Sequence, residues 1–250
     1  MHKSSGGLCI VVPYRERLHH LQRFVPHMTR FVSEAPMKIL VVEQHDSRLF
    51  NRGALLNAGF SMARREAGWV CFHDVDMLPL DRQCDYSRPD QTTHLAGRVE
   101  QFNFRMPYAG YLGGVLIVRP EDFEQANGFS NEYWGWGSED DDLYLRFKLA
   151  GVTVVHRPGR YLSLRHGRSL RPDANKDRFA RMARTAVESG RLDPSTAEAI
   201  SRFAAPVKGT DSWQDGLNNL HYRLVDRRPL ASVTGASTVD DVHEVISIEF

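Results

Sequence analysis

The sequence predicts a single-domain α/β protein whose first half is doubly wound, with a sheet between layers of helices. Strand-like apolar runs alternate with helix-period segments from residue 8 to residue 73, and such a β-α-β-α-β order builds a parallel sheet through right-handed crossovers. A chain of 250 residues with 42% hydrophobic residues can bury a full core. We find no internal repeat, heptad pattern or low-complexity linker, so one domain is the simplest division.

The first half is predicted to contain three strands and two helices. Residues 8–12 form a continuous apolar run that Pro13 ends, as in buried parallel strands. The other strands are similar runs, the helices carry apolar residues at helical spacing, and Gly68 ends the second helix. In chain order these are a strand over 8–12, a helix over 16–32, a strand over 38–43, a helix over 52–67 and a strand over 69–72.

The second half is less regular, and its elements depend on separate signals. Residues 81–110 are rich in turn formers, and Pro120 suits the first position of a short helix. We expect Ser138 to act as N-cap of a helix that Gly151 stops. The predicted elements are a strand near 93–99, a strand over 114–118, a short helix from 120, a helix over 139–150, strands over 152–156 and 161–165, a helix over 173–189, and two or three strands within 217–249.

Composition excludes several classes of protein. A formal net charge of +1 creates no basic field, so we expect no nucleic-acid partner and no strong attraction to anionic membranes. Cys9, Cys71 and Cys84 are too few and too irregular for a disulfide framework or a zinc site, which fits a reducing compartment. No apolar stretch approaches the ~20 residues of a membrane span. Residues 1–7 lack the apolar core of a signal peptide and are expected to be disordered or tag-like.

Two acidic clusters indicate the chemistry. Asp74 and Asp76 follow an apolar strand, so both carboxylates lie on one side of the chain at the strand's carboxyl edge, where open α/β sheets bind ligands. Residues 139–142 are four consecutive acids behind the aromatic-glycine loop 133–137. Neighbouring carboxylates repel each other unless a cation, a helix N-terminus or a substrate offsets them. One cluster can hold a divalent metal with a phosphate and the other can deprotonate a hydroxyl, which indicates group transfer from a metal-bound nucleotide.

Each of these patterns also has a structural explanation. An Asp-x-Asp triplet is common, and only its position after an apolar strand favours a metal. Carboxylates in a first helical turn are stabilised by the helix dipole, which accounts for one or two acids but not four. Trp134 packs in a core as readily as it contacts a ligand. Exposed Trp faces nevertheless stack on sugar rings, and flanking glycines let such a loop move.

Three further segments are ambiguous by residue type alone. His166 follows a strand-like run and is either a metal ligand or an ordinary packed or surface residue. Residues 13–17 end the first strand and open the first helix, where Arg15 and Arg17 suit contacts with a base and phosphates, or with solvent. The segment 50–53 precedes the second helix and indicates nothing in isolation.

Six motifs in fixed order resemble the β-1,4-galactosyltransferase family. They are Pro-Tyr-Arg-x-Arg (13–17), Phe-Asn-Arg (50–52) with Leu-Leu-Asn-x-Gly-Phe (55–60), His-Asp-Val-Asp (73–76), Tyr-x-Gly-Gly (111–114), Trp-Gly-Trp-Gly-x-Glu-Asp-Asp-Asp (134–142) and Arg-His (165–166). The resemblance covers about residues 8–225, and chance does not supply six such motifs in sequence. Within the family, residues 73–80 and 85–87 are most similar to the xylosylprotein galactosyltransferase that builds the proteoglycan linkage.

The resemblance implies a GT-A fold and an inverting, Mn²⁺-dependent transfer of galactose from UDP-galactose. It implies Asp76 and His166 as metal ligands, Asp140 as the base, Tyr111 as the residue that tunes galactose against N-acetylgalactosamine, and Trp136 as the cover of the donor. The residues implied around the donor are Pro13, Tyr14, Arg15, Arg17, Phe50, Asn51, Arg52, Asp74, Val75, Asp76, Tyr111, Gly114, Trp136 and Arg178. Those implied around the acceptor are Trp136, Glu139, Asp140 and Asp141.

The chain departs from the family pattern at the metal. The family's third protein ligand is a Met three residues before the His or a second His two residues after it, and these positions hold Ser163 and Arg168. We therefore expect Asp76 and His166 to hold the metal together with phosphates and waters. Animal members also carry a membrane anchor, a stem and disulfides. Their absence here predicts a bacterial relative, cytoplasmic or peripheral at the inner membrane, or else a trimmed catalytic domain of a secretory-pathway enzyme.

The resemblance also predicts the division of labour and leaves three functions open. After residues 1–7, a catalytic domain over 8–250 is expected, in which 8–80 mainly bind the nucleotide and 105–250 mainly serve the acceptor and the metal. The first function is β-1,4 transfer of galactose to a sugar hydroxyl, with a xyloside as acceptor by analogy. The second is the same fold using UDP-N-acetylgalactosamine or another UDP-sugar in bacterial polysaccharide synthesis. The third is a catalytically silent sugar- or nucleotide-binding protein, which the missing third ligand favours and Asp140 opposes.

Overall fold

The computed structural model describes residues 6–33, 36–165, 173–188, 214–235 and 243–250. The strands are β1 (Leu8–Tyr14), β2 (Met37–Gln44), β3 (Trp69–His73), β4 (Met77–Pro79), β5 (Thr93–His94), β6 (Arg98–Val99), β7 (Val115–Val118), β8 (Val155–His156), β9 (Arg160–Ser163), β10 (Arg223–Pro229) and β11 (Glu244–Glu249). The helices are α1 (Leu18–Phe31), α2 (Arg52–Ala63), α3 (Pro120–Gln125), α4 (Glu139–Leu149), α5 (Asp173–Glu188) and α6 (Leu230–Thr234). In these ranges no helix is long and apolar enough to cross a membrane.

An eight-stranded sheet of order β10-β11-β2-β1-β3-β7-β5-β8 forms the centre of the fold. β1 runs parallel to β2 and β3, which confirms the predicted β-α-β-α-β unit. β7 is antiparallel to β3 and β10 is antiparallel to β11, so the complete sheet is mixed. A second, three-stranded sheet of order β4-β9-β6 lies beyond the carboxyl end of β3. That small sheet carries the chain away from the Asp74–Asp76 turn.

Every residue of β1 is buried, because α1 and α2 cover opposite faces of the sheet. Alternate side chains of β1 enter the two cores, with Ile10 on the α1 side and Val11 on the α2 side. Gly59 lets α2 approach closely, since a Cβ there would lie 2.2 Å from Val11 Cγ1. This contact sets the height of α2 above the sheet, and with it the position of Arg52, the first residue of α2.

Most predicted elements are present, but β1, β2 and β3 are longer than predicted and the long helices are shorter. The prediction that Pro13 ends the first strand is wrong, since β1 continues to Tyr14. α2 ends at Ala63, four residues before the predicted end, and residues 81–110 contain only two two-residue strands among those assigned. Pro120 does open a short helix, and the described part of the tail contains two strands. The predicted cap at Ser138 is wrong in detail: the residue precedes α4 with a φ of 74°, and its side chain makes no capping hydrogen bond. Gly135 and Gly137 in the preceding loop also have positive φ angles.

A buried ion pair fixes α4 against the core. Arg146 is completely buried, and its Nε donates to Asp142 Oδ2 at 2.7 Å, one helical turn earlier. Its Nη1 donates to the carbonyl of Asp215 at 2.7 Å, and the hydroxyl of Tyr133 donates to Asp142 Oδ1 at 3.1 Å. Burial of two charges is tolerated only when hydrogen bonds satisfy both groups. The arrangement determines which face of α4 points outward.

We predict that Asp142→Asn lowers the free energy of unfolding by about 3 kcal/mol, because it leaves the Arg146 guanidinium buried without its nearest counter-charge. Urea unfolding measures this loss. The exposed pair of Arg64 and Glu124 provides a control, and Arg64→Ala should cost less than ~1 kcal/mol. Equal costs for the two variants would contradict the structural role of Asp142.

Candidate active site

The candidate active site lies at the carboxyl edge of the large sheet, where β1 and β3 end and α2 and α4 begin. Four polar segments meet here: the turn 15–17 after β1, the start of α2, the turn 74–76 after β3 and the first turn of α4. Parallel neighbouring strands place their carboxyl ends at one edge, which is where open α/β sheets bind ligands. The two acidic clusters of the sequence, far apart along the chain, are brought together at this edge.

Arg52 connects the two acidic clusters. Its Nε donates to Asp74 Oδ1 at 2.7 Å, and its Nη1 donates to Asp140 Oδ1 at 2.7 Å. A third carboxylate, that of Glu139, lies 3.6 Å from Nη1. A guanidinium holds its N–H groups in a fixed plane, so Arg52 determines the relative position of the carboxylates that it binds. The motif analysis assigned this arginine to the donor and did not foresee the bridge.

Burial changes the proton affinity of the acids around Arg52. Burial and the charge of Asp140 together raise the pKa of Glu139 to about 8, against the opposing effect of Arg52. Burial likewise raises the pKa of Asp74 to about 6 although Arg52 lowers it. The charged form of a carboxyl is penalised in a water-poor site, and nearby carboxylates add repulsion. Three carboxylates share one guanidinium here, so the site favours an additional cation.

The four acids of α4 have different roles. Asp142 is only 1% exposed and belongs to the buried pair with Arg146, so the expectation that no structural role explains the run is wrong for this residue. Asp141 Oδ1 accepts a hydrogen bond of 2.6 Å from the hydroxyl of Tyr108, and burial raises its pKa. The sequence analysis did not single out Tyr108, although it lies three residues before Tyr111 in the same aromatic segment. Only the first two acids face Arg52.

Asp76 is the candidate metal ligand within the described residues. It is 7% exposed at the end of the turn after β3. Its backbone carbonyl accepts a hydrogen bond of 2.8 Å from Leu164 N, which brings the chain after β9 alongside it. Arg17 Nη1 lies 3.7 Å from Asp76 Oδ2. A carboxylate ligand beside a cationic side chain fits a hard divalent cation that carries phosphate, since manganese and magnesium prefer oxygen donors.

The second predicted ligand, His166, lies outside the described residues, as does Arg168. Ser163, at the position of the family's methionine ligand, pairs with Met77 across β9 and β4. The last residue described in this segment is Arg165. Within the parts of the chain that the structure covers, no group of three or more His, Cys, Asp and Glu side chains is arranged to hold a metal.

The predicted nucleotide wall is partly assembled. Pro13 and Tyr14 are buried at the carboxyl end of β1, and Val75 is buried between the two aspartates. The guanidinium of Arg15 lies 5.5 Å from the centre of the Phe50 ring, so the turn after β1 contacts the loop before α2. An arginine stacked on an aromatic ring forms a flat surface of the kind that a nucleobase contacts.

Asn51 has a structural role at the start of α2. Its Oδ1 accepts a hydrogen bond of 2.9 Å from Ala54 N, the usual capping contact, and its Nδ2 donates to the carbonyl of Asn131 at 2.7 Å. The side chain is completely buried. Sequence analysis placed Asn51 in the pocket wall, and in the structure it fixes the position of the neighbouring Arg52.

Trp136 is 48% exposed and lies between two glycines with left-handed backbone angles, Gly135 at φ 86° and Gly137 at φ 105°. The loop is nevertheless anchored from α5. Asn175 Nδ2 is 3.3 Å from the carbonyl of Trp134 and 3.1 Å from that of Gly137. An exposed indole on an anchored glycine loop can cover a ligand, as the sequence predicts.

Two other residues that the sequence singles out have structural partners. The guanidinium carbon of Arg48 lies 4.6 Å from the centre of the Trp134 ring, and the Phe250 ring packs edge-on against it with centroids 5.9 Å apart. These contacts support a structural role for Trp134. Arg178 on α5 donates to Asp215 Oδ2 at 3.1 Å. These contacts tie α5 and the C-terminal residues to the loop that carries Trp136.

Tyr111 lies close enough to the acidic side chains of the site for their charges to affect its pKa. Burial raises its pKa, and the charges of Asp140 and Asp74 add to the rise. The carbonyl of Gly114 accepts a hydrogen bond of 2.9 Å from Asp74 N, and Gly114 has a φ of 87°. The phenol of Tyr111 folds back over Gly113, where a Cβ would lie 2.6 Å from its hydroxyl. The Tyr-x-Gly-Gly segment is therefore tied to the Asp-x-Asp turn, a contact that the sequence analysis does not predict.

Comparison with known families supports the motif-based resemblance. The profile described as the N-terminal region of glycosyl transferase group 7 matches residues 3–88. The profile described as the N-terminal domain of galactosyltransferase matches residues 93–167. The two matches together include both acidic clusters and the Tyr-x-Gly-Gly segment.

Curated relatives are β-1,4-galactosyltransferases of mammals. β-1,4-Galactosyltransferase 2 of Cricetulus griseus is 35% identical over 233 residues, which cover 89% of this chain and 57% of the relative. The Homo sapiens protein of the same name is 38% identical over 186 residues, covering 71% of this chain and 50% of the relative. The chain thus spans about half of the length of the curated relatives that it matches.

Solved structures agree with the predicted GT-A fold. The catalytic domain of Drosophila β1,4-galactosyltransferase 7 in complex with xylobiose has a TM-score of 0.71 and 27% identity, covering 97% of this chain and 93% of that one. A mutant of that enzyme in complex with manganese, UDP-Gal and xylobiose has a TM-score of 0.69. These mammalian and insect relatives lend no support to the expected bacterial origin. The chain belongs to the glycosyltransferase group 7 family, which includes the β-1,4-galactosyltransferases.

Proposed function

We propose that this chain is an inverting, metal-dependent galactosyltransferase that transfers galactose from UDP-galactose to a sugar hydroxyl in a β-1,4 linkage. The observation that carries the proposal is the bridge of Arg52 between Asp74 and Asp140, because it joins the metal-side and base-side acids in one network. The family relationship supports UDP-galactose as the donor. The complex of the Drosophila relative with manganese and UDP-Gal supports the cofactor.

The donor is proposed to lie between the turn after β1 and the start of α2. Arg15 and Phe50 provide the flat surface for the base. Arg17, 3.7 Å from Asp76, is suited to the diphosphate. Asp76 and His166 are the residues that would hold Mn²⁺, which would neutralise charge on the departing UDP. In this proposal, residues 8–80 mainly bind the nucleotide, and 105–250 mainly serve the acceptor and the metal.

Asp140 is the proposed general base. As the acceptor oxygen attacks the anomeric carbon, its proton passes to Asp140 and the bond from that carbon to the UDP oxygen breaks, which inverts the configuration. Arg52 orients the carboxylate through Oδ1 at 2.7 Å. Glu139 is a poorer candidate, because its carboxylate lies 3.6 Å from Arg52 Nη1, whereas Asp140 is held by a hydrogen bond of 2.7 Å. Trp136 closes over the donor and excludes water, which would otherwise hydrolyse it.

The acceptor is proposed to contact Asp141 and the exposed rings of Tyr108 and Trp136. Aromatic faces stack on sugar rings, and carboxylates accept bonds from sugar hydroxyls. The Drosophila relative binds xylobiose, which favours a xyloside as the acceptor here. A glycan array supplied with UDP-galactose tests the class of acceptor. The cytoplasmic or inner-membrane location, and its alternative of a trimmed secretory-pathway domain, stay predictions.

UDP release on mixing donor, Mn²⁺ and acceptor tests the proposal as a whole. Release that requires the acceptor supports transfer, whereas binding without release would point to a silent sugar- or nucleotide-binding protein. Release with UDP-N-acetylgalactosamine rather than UDP-galactose would instead support the polysaccharide-type alternative.

We predict that Asp76→Ala abolishes manganese-dependent binding of UDP and leaves the fold intact, since the carboxylate ends a turn and contributes charge rather than packing. Calorimetry with UDP and Mn²⁺ measures the loss, and thermal melting confirms folding. Asp226→Ala, on the exposed strand β10, is the matched control and should bind normally. Unchanged binding in Asp76→Ala would show that the Asp-x-Asp turn does not hold the metal.

Asp140→Asn should retain UDP-galactose binding and lose transfer, because an amide cannot accept the acceptor's proton. The amide oxygen can still bind Arg52, so the geometry of the bridge is preserved. General-base assistance is typically worth ~10²–10⁴-fold, which sets the expected loss in kcat. Turnover above about a tenth of the wild-type value would be incompatible with that role.

Tyr111→Leu should broaden the donor from UDP-galactose towards UDP-N-acetylgalactosamine, since the smaller side chain lacks the hydroxyl and leaves room for an N-acetyl group. Pocket changes of this size are worth ~1–3 kcal/mol, so the ratio of kcat/KM for the two donors should shift roughly ten- to a few-hundred-fold. A wild type that already uses both donors equally would remove the basis of the galactosyltransferase assignment.

A further inference from the structure

Two histidines lie beneath the segment that carries Tyr111. His94, the last residue of β5, is completely buried and is aligned with His156 of β8 in the parallel pairing of the two strands. Their Nδ1 atoms are 3.0 Å apart, and His94 Nε2 lies 2.9 Å from the carbonyl oxygen of Gly113. Neither histidine has a part in the proposed reaction, and sequence analysis singled out neither.

The contacts determine which nitrogens carry hydrogen. The Gly113 carbonyl can only accept, so His94 Nε2 donates to it. Burial lowers the pKa of His94 to about 3, so the ring is neutral and its Nδ1 accepts the hydrogen of His156 Nδ1. The bond from His94 therefore holds the chain two residues after Tyr111, and His156 fixes the orientation of the His94 ring.

His94 also contacts the side chain of Tyr111 directly. The rings of His94 and Tyr111 are edge-to-face, with centroids 5.5 Å apart and planes at 87°. Phe102 and Tyr108 contact the Tyr111 ring in similar geometry, at 5.8 Å and 5.7 Å. Edge-to-face ring contacts tolerate small displacements of the Tyr111 ring, whereas a hydrogen bond is directional. The bond from His94 to Gly113 therefore fixes the backbone that carries Tyr111.

We propose that the His94–His156 pair positions Tyr111 against the donor sugar, so that donor selectivity depends on the His94–Gly113 hydrogen bond as well as on Tyr111. The inference rests on the proposed function, because it assigns Tyr111 to the sugar's 2-substituent. Without the donor on His94, the buried Gly113 carbonyl keeps the longer hydrogen bond from Val115 N, at 3.2 Å, but loses the shorter one that holds it towards His94, so the segment is free to shift. A displacement of that kind changes how closely the phenol approaches the sugar.

Two substitutions of His94 separate positioning from packing. His94→Phe keeps a ring against Tyr111 and removes the hydrogen bond, whereas His94→Gln keeps an N–H that can reach Gly113. The ratio of kcat/KM for UDP-galactose to that for UDP-N-acetylgalactosamine should fall about tenfold in His94→Phe and stay within about twofold of wild type in His94→Gln. His156→Leu, at a partly exposed position, should shift the ratio in the same direction and provides the test if His94→Phe does not fold.

A double variant asks whether the effect passes through Tyr111. In the Tyr111→Leu background, His94→Phe should leave the donor ratio unchanged, because the side chain that it positions is absent. A ratio that falls equally in both backgrounds would overturn the inference. Equal losses of activity with both donors in His94→Phe, at an unchanged ratio, would overturn it as well and would indicate a purely structural histidine.

Failure of the inference and failure of the proposed function give different results. Nitrogen-15 NMR of the histidines in the wild type needs no substrate and should show hydrogen on His94 Nε2 and none on Nδ1; the opposite tautomer would overturn the inference. A wild type that turns over neither UDP-sugar contradicts the proposed function. A wild type that prefers UDP-galactose, together with a His94→Phe variant that keeps this preference, contradicts only the positioning role.

Discussion

The site depends on one guanidinium that balances three carboxylates. Arg52 is bonded to Asp74 from the end of β3 and to Asp140 from the start of α4, with Glu139 close by. Without this cation, the carboxylates would repel each other at a site that is only partly exposed to water. The cap formed by Asn51 and the close approach of α2 to the sheet fix where the charge sits. The geometry of the reaction centre is therefore set by the start of one helix.

The charge balance around Arg52 also explains why the edge of the sheet suits a metal-bound diphosphate. One positive group cannot neutralise all the acids nearby. Burial raises the pKa values of Asp74 and Glu139, and the neighbouring carboxylates raise them further than burial alone would. A divalent cation beside Asp76 would relieve this repulsion, and the diphosphate would bring its own negative charge to Arg17 and the cation. Binding of donor and metal as a unit is thus electrostatically favoured over binding of either alone.

Local patterns in the sequence were sufficient for the βαβαβ unit, because fully apolar strands and helical spacing are read directly from the chain. The order of short motifs identified the family and the edge at which Asp76 and Asp140 lie. What the sequence could not provide were contacts between distant segments. The Arg52 bridge, the buried role of Asp142 and the His94–Gly113 bond each join residues whose partners only the fold brings close. A polar residue type does not reveal whether it will meet a ligand or another side chain.

The ion pair of Asp142 and Arg146 has a consequence for the rotation of α4 about its own axis. Successive residues of an α-helix are separated by about 100° around that axis. With Asp142 locked inward, the directions of the three preceding acids follow from their spacing alone, and these acids separate into the pair facing Arg52 and the one bonded to Tyr108. One inserted residue within the run would turn the carboxylate of Asp140, the proposed base, away from Arg52 without altering its chemistry. The length of this acidic segment is therefore as strictly constrained as its charge.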